Sequence, residues 1–221
     1  MSVRYDCTDP SQRAVGISAA TAALRGGQLA VFPTDTAYGL AADAFSPAAV
    51  AALLSTRGGG RHAPPAVLTG TVRAALALVQ DDVMETHGKD LIDAFWPGPL
   101  TLVVRANRSL SWDLGETLGT VAVRIPLHPL ALDLLKATGP LACSSANHTA
   151  TPPATTAAQA EEQLGSAVAV YLDDGPCPGE PLSTVVDLTA PLPRLMRRGA
   201  LPLDRLREVV PLLMDGTAPE D

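Results

Sequence analysis

The sequence predicts one α/β domain with a twisted, mixed β-sheet and flanking helices. Short apolar segments alternate with helical segments along the 221 residues, and this alternation is typical of helices packed on a sheet. A hydrophobic content of 47% against 18% charged residues is that of a globular protein with a sizeable core. The sequence shows no internal repeat and no linker long enough to divide it, so we expect a single domain.

In the N-terminal half, residues that typically start or end helices set the predicted boundaries of the elements. A helix is predicted at 11–26 because apolar residues recur near helical spacing and two glycines then stop it. The apolar run at 28–32 follows as a buried strand. Ser46 and Pro47 predict an N-cap and a proline at the first helical position, before a helix at 48–54. A mobile glycine-rich loop, a strand and a short helix complete this half, at 57–62, 66–68 and 72–79.

The elements of the C-terminal half are bounded by proline and glycine. Prolines at 97 and 99 separate a helix at 90–95 from a strand at 100–105, and Pro126 ends the strand at 120–125. Gly139 ends a helix at 129–138. The remaining elements are a strand, a helix, two strands and a helix, at 141–143, 156–164, 168–172, 183–188 and 203–213.

The charge and the cysteines narrow the class of protein. A formal net charge of −7 argues against broad, non-specific nucleic-acid binding, although a local basic patch stays open. Cys7, Cys143 and Cys177 have neither the spacing of a metal site nor that of a disulfide framework, which favours a reducing compartment. No segment has the pattern of a secretion signal or the length of a bilayer span. We therefore expect a cytoplasmic protein without a metal-ligand cluster or a membrane partner.

The most informative segment contains Thr34, Asp35, Thr36 and Tyr38, directly after the strand at 28–32. Open α/β sheets commonly bind ligands at strand ends. Two hydroxyls and a carboxylate beside a glycine suit a phosphate or an amino acid. The alternative is a capped turn, in which these side chains bond only to the local backbone.

Further polar groups follow other predicted strands or loops. The loop at 57–62 combines three glycines with two arginines, the residues that allow close approach and bidentate binding of phosphate or carboxylate. Candidate anion ligands elsewhere are Arg124, Ser183, Arg197 and the polar run at 144–147. Each has an ordinary structural alternative, such as a polar loop or an ion pair. Together they favour catalysis by positioning and charge stabilisation.

Taken in order, these segments resemble the YrdC family, the threonylcarbamoyl-AMP synthases. The matching motifs are Phe-Pro-Thr-Asp-Thr-Ala-Tyr-Gly-Leu at 32–40, Trp-Pro-Gly-Pro-Leu-Thr at 96–101, Val-Arg-Ile-Pro at 123–126, Ser-Ser-Ala-Asn at 144–147, Ser-Thr-Val-Val-Asp at 183–187 and Arg-Arg-Gly at 197–199. The resemblance covers roughly residues 12–212, which leaves 1–11 and 213–221 as terminal extensions. It implies a single domain with a sheet around a concave cleft.

The resemblance also implies a reaction. L-threonine, bicarbonate and ATP, with Mg²⁺, would give threonylcarbamoyl-AMP and pyrophosphate. The product would serve the threonylcarbamoyladenosine modification of tRNA through a separate threonylcarbamoyl transferase complex, and direct RNA contact is possible. Carried over by position, the threonine end of the cleft would be lined by Thr34, Thr36 and Tyr38. The nucleotide would be bound by Arg124, Ser145, Asn147, Ser183 and Arg197.

One motif departs from the family pattern. The family usually carries Lys-x-Arg where this chain has Arg57-Gly58-Gly59. Arg57 keeps a positive charge, Gly59 has no side chain, and Arg61 could supply the second charge from the glycine-rich loop. Arg57 and Arg61 are therefore the predicted catalytic pair. Two alternatives stay open: an impaired paralogue that binds nucleotide or RNA, and an enzyme that makes carbamoyl-AMP from carbamoyl phosphate.

Overall fold

The computed structural model describes residues 2–80 and 87–217, which share one sheet with helices on both faces. The strands are β1 (Val3–Asp6), β2 (Ala30–Phe32), β3 (Gly39–Asp43), β4 (Ala66–Leu68), β5 (Leu100–Arg105), β6 (Thr120–Arg124), β7 (Leu141–Ser145), β8 (Val170–Asp173), β9 (Thr184–Asp187), β10 (Arg194–Arg197) and β11 (Met214–Asp215). The helices are α1 (Pro10–Arg25), α2 (Pro47–Arg57), α3 (Val72–Leu76), α4 (Gly88–Phe95), α5 (Pro129–Thr138), α6 (Ala157–Leu164) and α7 (Leu203–Val209), and a 3₁₀ turn spans Gly165–Ala167.

The sheet is mixed, as predicted. Its strands lie in the order β1-β8-β2-β3-β7-β4-β6-β5-β9-β10-β11. β1 and β2 are both parallel to β8, β4 is parallel to β6, and β5 is parallel to β9. The pairs β2–β3, β3–β7, β4–β7 and β5–β6 are antiparallel. The fold class predicted from the alternation of elements is therefore confirmed.

Two apolar cores lie on the two faces of the sheet. Because side chains alternate along a strand, Phe32 and Leu68 pack with α1 and α5, while Val31 and Val67 pack with α2, α4, α6 and α7. On the first face, α1 packs against β1, β8, β2 and β3. The same face of β4, β6, β5 and β9 borders a cavity instead. The uncovered part of that face is where a ligand can reach the sheet.

Helix ends follow the local sequence closely. Ser46 caps α2 as predicted, since its hydroxyl accepts from the amide of Ala49, and Pro47 lies in the first turn. Asp9 caps α1 in the same way, so this helix begins before residue 11. The prediction of a helix to residue 213 was wrong: α7 ends at Val209, because Pro211 disfavours the helical conformation in the residue before it.

Four strands were not predicted: β1, β3, β10 and β11. β3 has the sequence Gly-Leu-Ala-Ala-Asp, whose alanines have low intrinsic strand preference. It forms a strand because it lies between β2 and β7 and pairs with both. β1 and β11 lie within the expected terminal extensions, and both join the sheet. Residues 1 and 218–221 of those extensions lie outside the part that the structure describes. Within the described ranges, no helix has the length and apolarity to cross a membrane.

Candidate functional site

A cavity of about 340 Å³ lies on the uncovered face of the sheet. It is bordered by the loop after β2, by the end of α2, and by strands β3, β4, β5, β6, β7, β9 and β10. Most predicted site residues line it: Thr34, Thr36, Tyr38, Arg57, Arg124, Ser145, Ser183 and Arg197. Asn147 and Arg61 do not line it. Residues from distant parts of the chain therefore meet at one place.

The hydroxyl of Thr34 organises the loop that follows β2. Thr34 Oγ1 donates to the carbonyl oxygen of Ala37 at 2.6 Å and accepts from the amides of Thr36 and Ala37 at 3.2 and 3.3 Å. Thr36 Oγ1 lies 3.1 Å from the same hydroxyl. The loop is thus a capped turn, and both threonines also line the cavity.

Tyr38 uses its hydroxyl to hold a neighbouring turn. The hydroxyl donates to the carbonyl oxygen of Gly175 at 2.6 Å and accepts from the amide of Asp174 at 3.3 Å. Burial, reinforced by the charge of Asp173, raises the pKa of the Tyr38 phenol above its usual value. The phenol therefore stays protonated, and its position fixes this wall of the cavity.

Arg124 ties three parts of the site together. Its Nε donates to the carbonyl oxygen of Gly98 at 3.0 Å, its Nη1 to Thr36 Oγ1 at 3.2 Å, and its Nη2 to Asp35 Oδ1 at 2.6 Å. Burial lowers the pKa of Arg124, and the nearby Asp35 carboxylate opposes that shift. A guanidinium remains charged in either case. Arg124 therefore sets the position of the 34–37 loop as well as facing the cavity.

A second arginine enters the cavity from β10. Arg197 donates from Nε and Nη2 to the carbonyl oxygen of Ser183 at 3.2 and 2.8 Å, and from Nη2 to Ser183 Oγ at 2.9 Å. Ser183 Oγ in turn lies 2.9 Å from Thr101 Oγ1. Sequence reasoning gave Thr101 no role, although it is the last residue of the motif at 96–101. That motif was the available signal.

Arg57 reaches the cavity from the C-terminal end of α2. Gly58 follows with φ +74°, the left-handed cap that ends many helices. Arg57 Nη1 donates to Ser144 Oγ at 2.9 Å, and its carbonyl oxygen accepts from the amide and hydroxyl of Thr149, each at 2.9 Å. Its Nε is buried and has no hydrogen-bond partner in the described part of the chain. The sequence predicts the polar run at 144–147 as a candidate anion ligand, but the bond between Ser144 and Arg57 was not predicted.

The three guanidiniums give the cavity a positive potential. Burial lowers the pKa of Arg197, and the charges of Arg124 and Arg57 lower it further. Among the described residues that line the cavity there is no aspartate or glutamate. Asp35, which is not part of the lining, pairs with Arg124, and among the described residues no ion pair is seen for Arg57 or Arg197. This charge distribution suits a phosphate or carboxylate, which arginine binds through paired N–H groups.

Arg61 and Asn147 lie outside the cavity. Arg61 forms a bidentate ion pair with Asp113 on the protein surface. Asn147 is 3% exposed, and its Nδ2 donates to the carbonyl oxygens of His148 and Thr151 at 2.8 and 2.6 Å. It thereby holds the loop that carries Thr149, the partner of the Arg57 carbonyl. Its contact with the site is indirect in this conformation.

Comparison with known proteins places the chain in a family. The Sua5/YciO/YrdC family model, described as "Telomere recombination", matches residues 22–199. The chain belongs to the Sua5/YciO/YrdC family. A Mycobacterium tuberculosis (strain H37Rv) family member, named "Putative threonylcarbamoyl-AMP synthase", is 50% identical over 210 residues, which are 95% of this chain and 96% of that protein. The threonylcarbamoyl-AMP synthase of Pyrococcus abyssi is 34% identical over 188 residues, 85% of this chain and 55% of that protein.

Solved structures of the Sua5/YciO/YrdC family have the same fold. The crystal structure of P. abyssi Sua5 complexed with L-threonine matches with a TM-score of 0.86 and 31% identity, over 99% of this chain and 62% of that one. The chain thus spans about three fifths of the length of this P. abyssi protein. Escherichia coli YciO matches with a TM-score of 0.78 at 21% identity, over 93% of this chain and 100% of that one, and this shows the fold alone.

Proposed function

We propose that this chain is a threonylcarbamoyl-AMP synthase, which forms threonylcarbamoyl-AMP and pyrophosphate from L-threonine, bicarbonate and ATP. The observation that carries the proposal is the meeting of Arg57, Arg124 and Arg197 in one cavity with the hydroxyl-rich loop at Thr34 and Thr36. ATP supplies the anion that such a cavity suits. The names of relatives that are 50% and 34% identical support the same activity.

The chemistry needs no covalent bond to the protein. The amine of threonine captures bicarbonate to give a carbamate and water. A carbamate oxygen then attacks the α-phosphorus of ATP. The bond between this phosphorus and the oxygen that bridges it to the β-phosphate breaks, and pyrophosphate leaves. Arg57 and Arg197 would stabilise the negative charge on the phosphates during this step. Among the described residues the buried Nε of Arg57 has no hydrogen-bond partner, so Arg57 has a free N–H group to donate to such an oxygen.

The other predicted residues would position the substrates. Thr34, Thr36 and the backbone near Tyr38 would border threonine, because the Tyr38 hydroxyl is already bound to Gly175. The nucleotide would contact the side of the cavity formed by Arg124, Ser145, Ser183 and Arg197. Asn147 would act through the loop that holds Arg57.

Mg²⁺ would enter with ATP and not through a protein site. The described part of the chain contains no cluster of His, Cys, Asp or Glu that could hold a metal ion, and the described lining offers hydroxyls without carboxylates. Magnesium in nucleotide sites is often held largely by water and substrate phosphates. We therefore treat Mg²⁺ as part of the substrate.

The product would be consumed by a tRNA-modifying reaction. Threonylcarbamoyl-AMP is an activated adenylate, so we propose that a separate transferase complex moves the threonylcarbamoyl group to tRNA, with any RNA contact of this chain secondary. We place both steps in the cytoplasm. The unpaired thiols of Cys7, Cys143 and Cys177 support a reducing compartment.

Pyrophosphate release from the purified chain tests the proposal. With saturating ATP and Mg²⁺, release should require both L-threonine and bicarbonate, and mass spectrometry should detect threonylcarbamoyl-AMP. A reaction in which carbamoyl phosphate replaces threonine and bicarbonate tests the carbamoyl-AMP alternative. ATP binding without turnover in either mixture would overturn the synthase proposal and support a binding paralogue.

The Gly59→Arg variant tests the altered motif separately. It restores an arginine two residues after the Arg57 position, as in the family pattern. Higher activity in this variant would mean that the natural sequence lacks a useful charge. Unchanged activity would mean that the arginines already present are sufficient.

A further inference from the structure

The glycine-rich segment 58–63 is docked on the loop between β5 and β6. Arg61 Nη1 and Nη2 donate to Asp113 Oδ2 and Oδ1, both at 2.9 Å. The amide of Glu116 donates to the carbonyl oxygen of Arg61 at 2.8 Å. Asp113 Oδ1 also accepts from the amide of Gly115 at 3.1 Å, which orients the carboxylate. One loop thus binds both the side chain and the backbone of Arg61.

Gly115 makes this close approach possible. Its φ is +102°, and a Cβ added there would lie 2.7 Å from the carbonyl oxygen of Arg61. The same loop is also tied to the turn before α2, because the rings of Trp112 and Phe45 stack with centroids 5.7 Å apart. The β5–β6 loop therefore contacts the chain on both sides of α2, the helix that carries Arg57.

The docked segment forms part of the cavity. Arg57, before it, and Ala63 and Pro64, at and after its end, all line the cavity. Three consecutive glycines lie between them and allow many backbone conformations. Backbone bonds at Gly59 and Ala63, together with the contacts of Arg61, hold one of these conformations. Arg61 and Asp113, which do not line the cavity, thus contribute contacts that hold the segment forming this wall.

We propose that Asp113 is a positioning residue: by binding Arg61, it holds the glycine-rich segment in the conformation that closes this wall of the ATP site. Its consequence for catalysis rests on the proposed synthase activity. Arg61 then acts through Asp113 and does not contact phosphate. The rival is that Arg61 leaves Asp113 and binds phosphate directly.

Kinetics separate the two roles. If Arg61 positions the wall, Asp113→Asn and Arg61→Ala should each raise the KM for ATP by about two- to fivefold, with little change in kcat, because exposed ion pairs contribute modestly. The double variant should be no worse than either single one. The exchanged pair, Arg61→Asp with Asp113→Arg, should recover most of the loss. If Arg61 is a phosphate ligand, Arg61→Ala lowers kcat, Asp113→Asn preserves or raises it, and the exchanged pair recovers nothing.

Hydrogen–deuterium exchange tests the docking without any activity. Peptides covering residues 57–64 should exchange several-fold faster in Asp113→Asn and Gly115→Ala than in the parent chain. Asp93→Asn, which removes the exposed ion pair with Lys89 on α4, is the matched control and should change neither exchange nor KM. Unchanged exchange in both loop variants would overturn the proposal. If the parent chain released no pyrophosphate, the proposed synthase activity would be overturned instead.

Discussion

Arg124 and Asp35 form an ion pair that is nearly closed off from water. Arg124 Nη2 lies 2.6 Å from Asp35 Oδ1, and the two side chains are 7% and 11% exposed. Desolvation of both charges offsets much of their attraction, so such a pair need not stabilise the fold more than apolar residues would. Removing only one of the two charges should destabilise the fold, because the other charge then stays buried without a partner.

Replacement of Asp35 by alanine should destabilise the protein strongly. We expect Asp35→Ala to lower the free energy of unfolding by about 3 kcal/mol, the lower end of the range for a buried pair, since Arg124 keeps its bonds to Gly98 and Thr36. Urea unfolding measures this change. Asp93→Asn, in an exposed pair, should stay within about 0.5 kcal/mol. A loss of less than about 1 kcal/mol in Asp35→Ala would mean that the remaining bonds satisfy Arg124.

Removal of the Arg57 side chain should reduce turnover. Arg57→Ala is expected to lower kcat by on the order of a hundredfold or more, the usual cost of losing one charged donor at a transition state. Ser144→Ala should have a smaller effect, because it removes only the acceptor that orients Arg57 Nη1. Initial rates of pyrophosphate release measure both, with the exposed Arg205→Ala as the control. A change below tenfold in Arg57→Ala would argue that another residue contacts the phosphates.

The contact between β3 and β7 at Gly39 should be sensitive to one added methyl group. A Cβ at Gly39 would lie 2.7 Å from Cys143 Sγ. We therefore expect Gly39→Ala to destabilise the fold by about 1–3 kcal/mol, as overpacking in a core does. Adding Cys143→Ala removes the sulfur and should recover much of the loss in a double-mutant cycle. If the stability losses of Gly39→Ala and Cys143→Ala simply add, the loss in Gly39→Ala comes from the backbone of β3 and not from contact with the sulfur.

The stability of the protein should depend on the protonation of His128. Burial lowers the pKa of His128, although the carboxylate of Asp174 opposes that shift. Its Nδ1 is buried without a partner among the described residues. As the pH falls below about 6.5, the unfolded chain therefore takes up this proton before the folded protein does, and stability is lost until the lowered folded pKa is passed. Well above pH 6.5 the histidine is neutral in both states, so it contributes no pH dependence there.

The variant His128→Gln isolates this effect. Between pH 7 and 5, the free energy of unfolding should fall less steeply in His128→Gln than in the parent chain. Urea unfolding at several pH values gives both slopes. Equal slopes would assign the acid sensitivity to carboxylates elsewhere.

The sequence was sufficient for the elements with strong local signals. Ser46 before Pro47 marked a helix start, and the hydroxyls after β2 marked a strand end at the site. β3 was missed because its alanines carry no strand signal, and because one of its two partners, β7, is distant in sequence. Arg61 was predicted to act with Arg57 only because the two residues are close in the sequence. Its partner Asp113 is 52 residues away, and no local pattern indicates that pairing.

The assembly of the cavity from distant elements links its occupancy to the heat stability of the whole chain. Arg57, Arg124 and Arg197 come from α2, β6 and β10, which meet only when the sheet is complete. A ligand that binds this cavity therefore binds the folded chain alone, and at a hundredfold excess over its Kd it adds about 2.7 kcal/mol to stability. The melting temperature, measured at increasing ligand concentration, therefore reports ligand binding in the cavity. It can report nucleotide binding even in variants that no longer turn over.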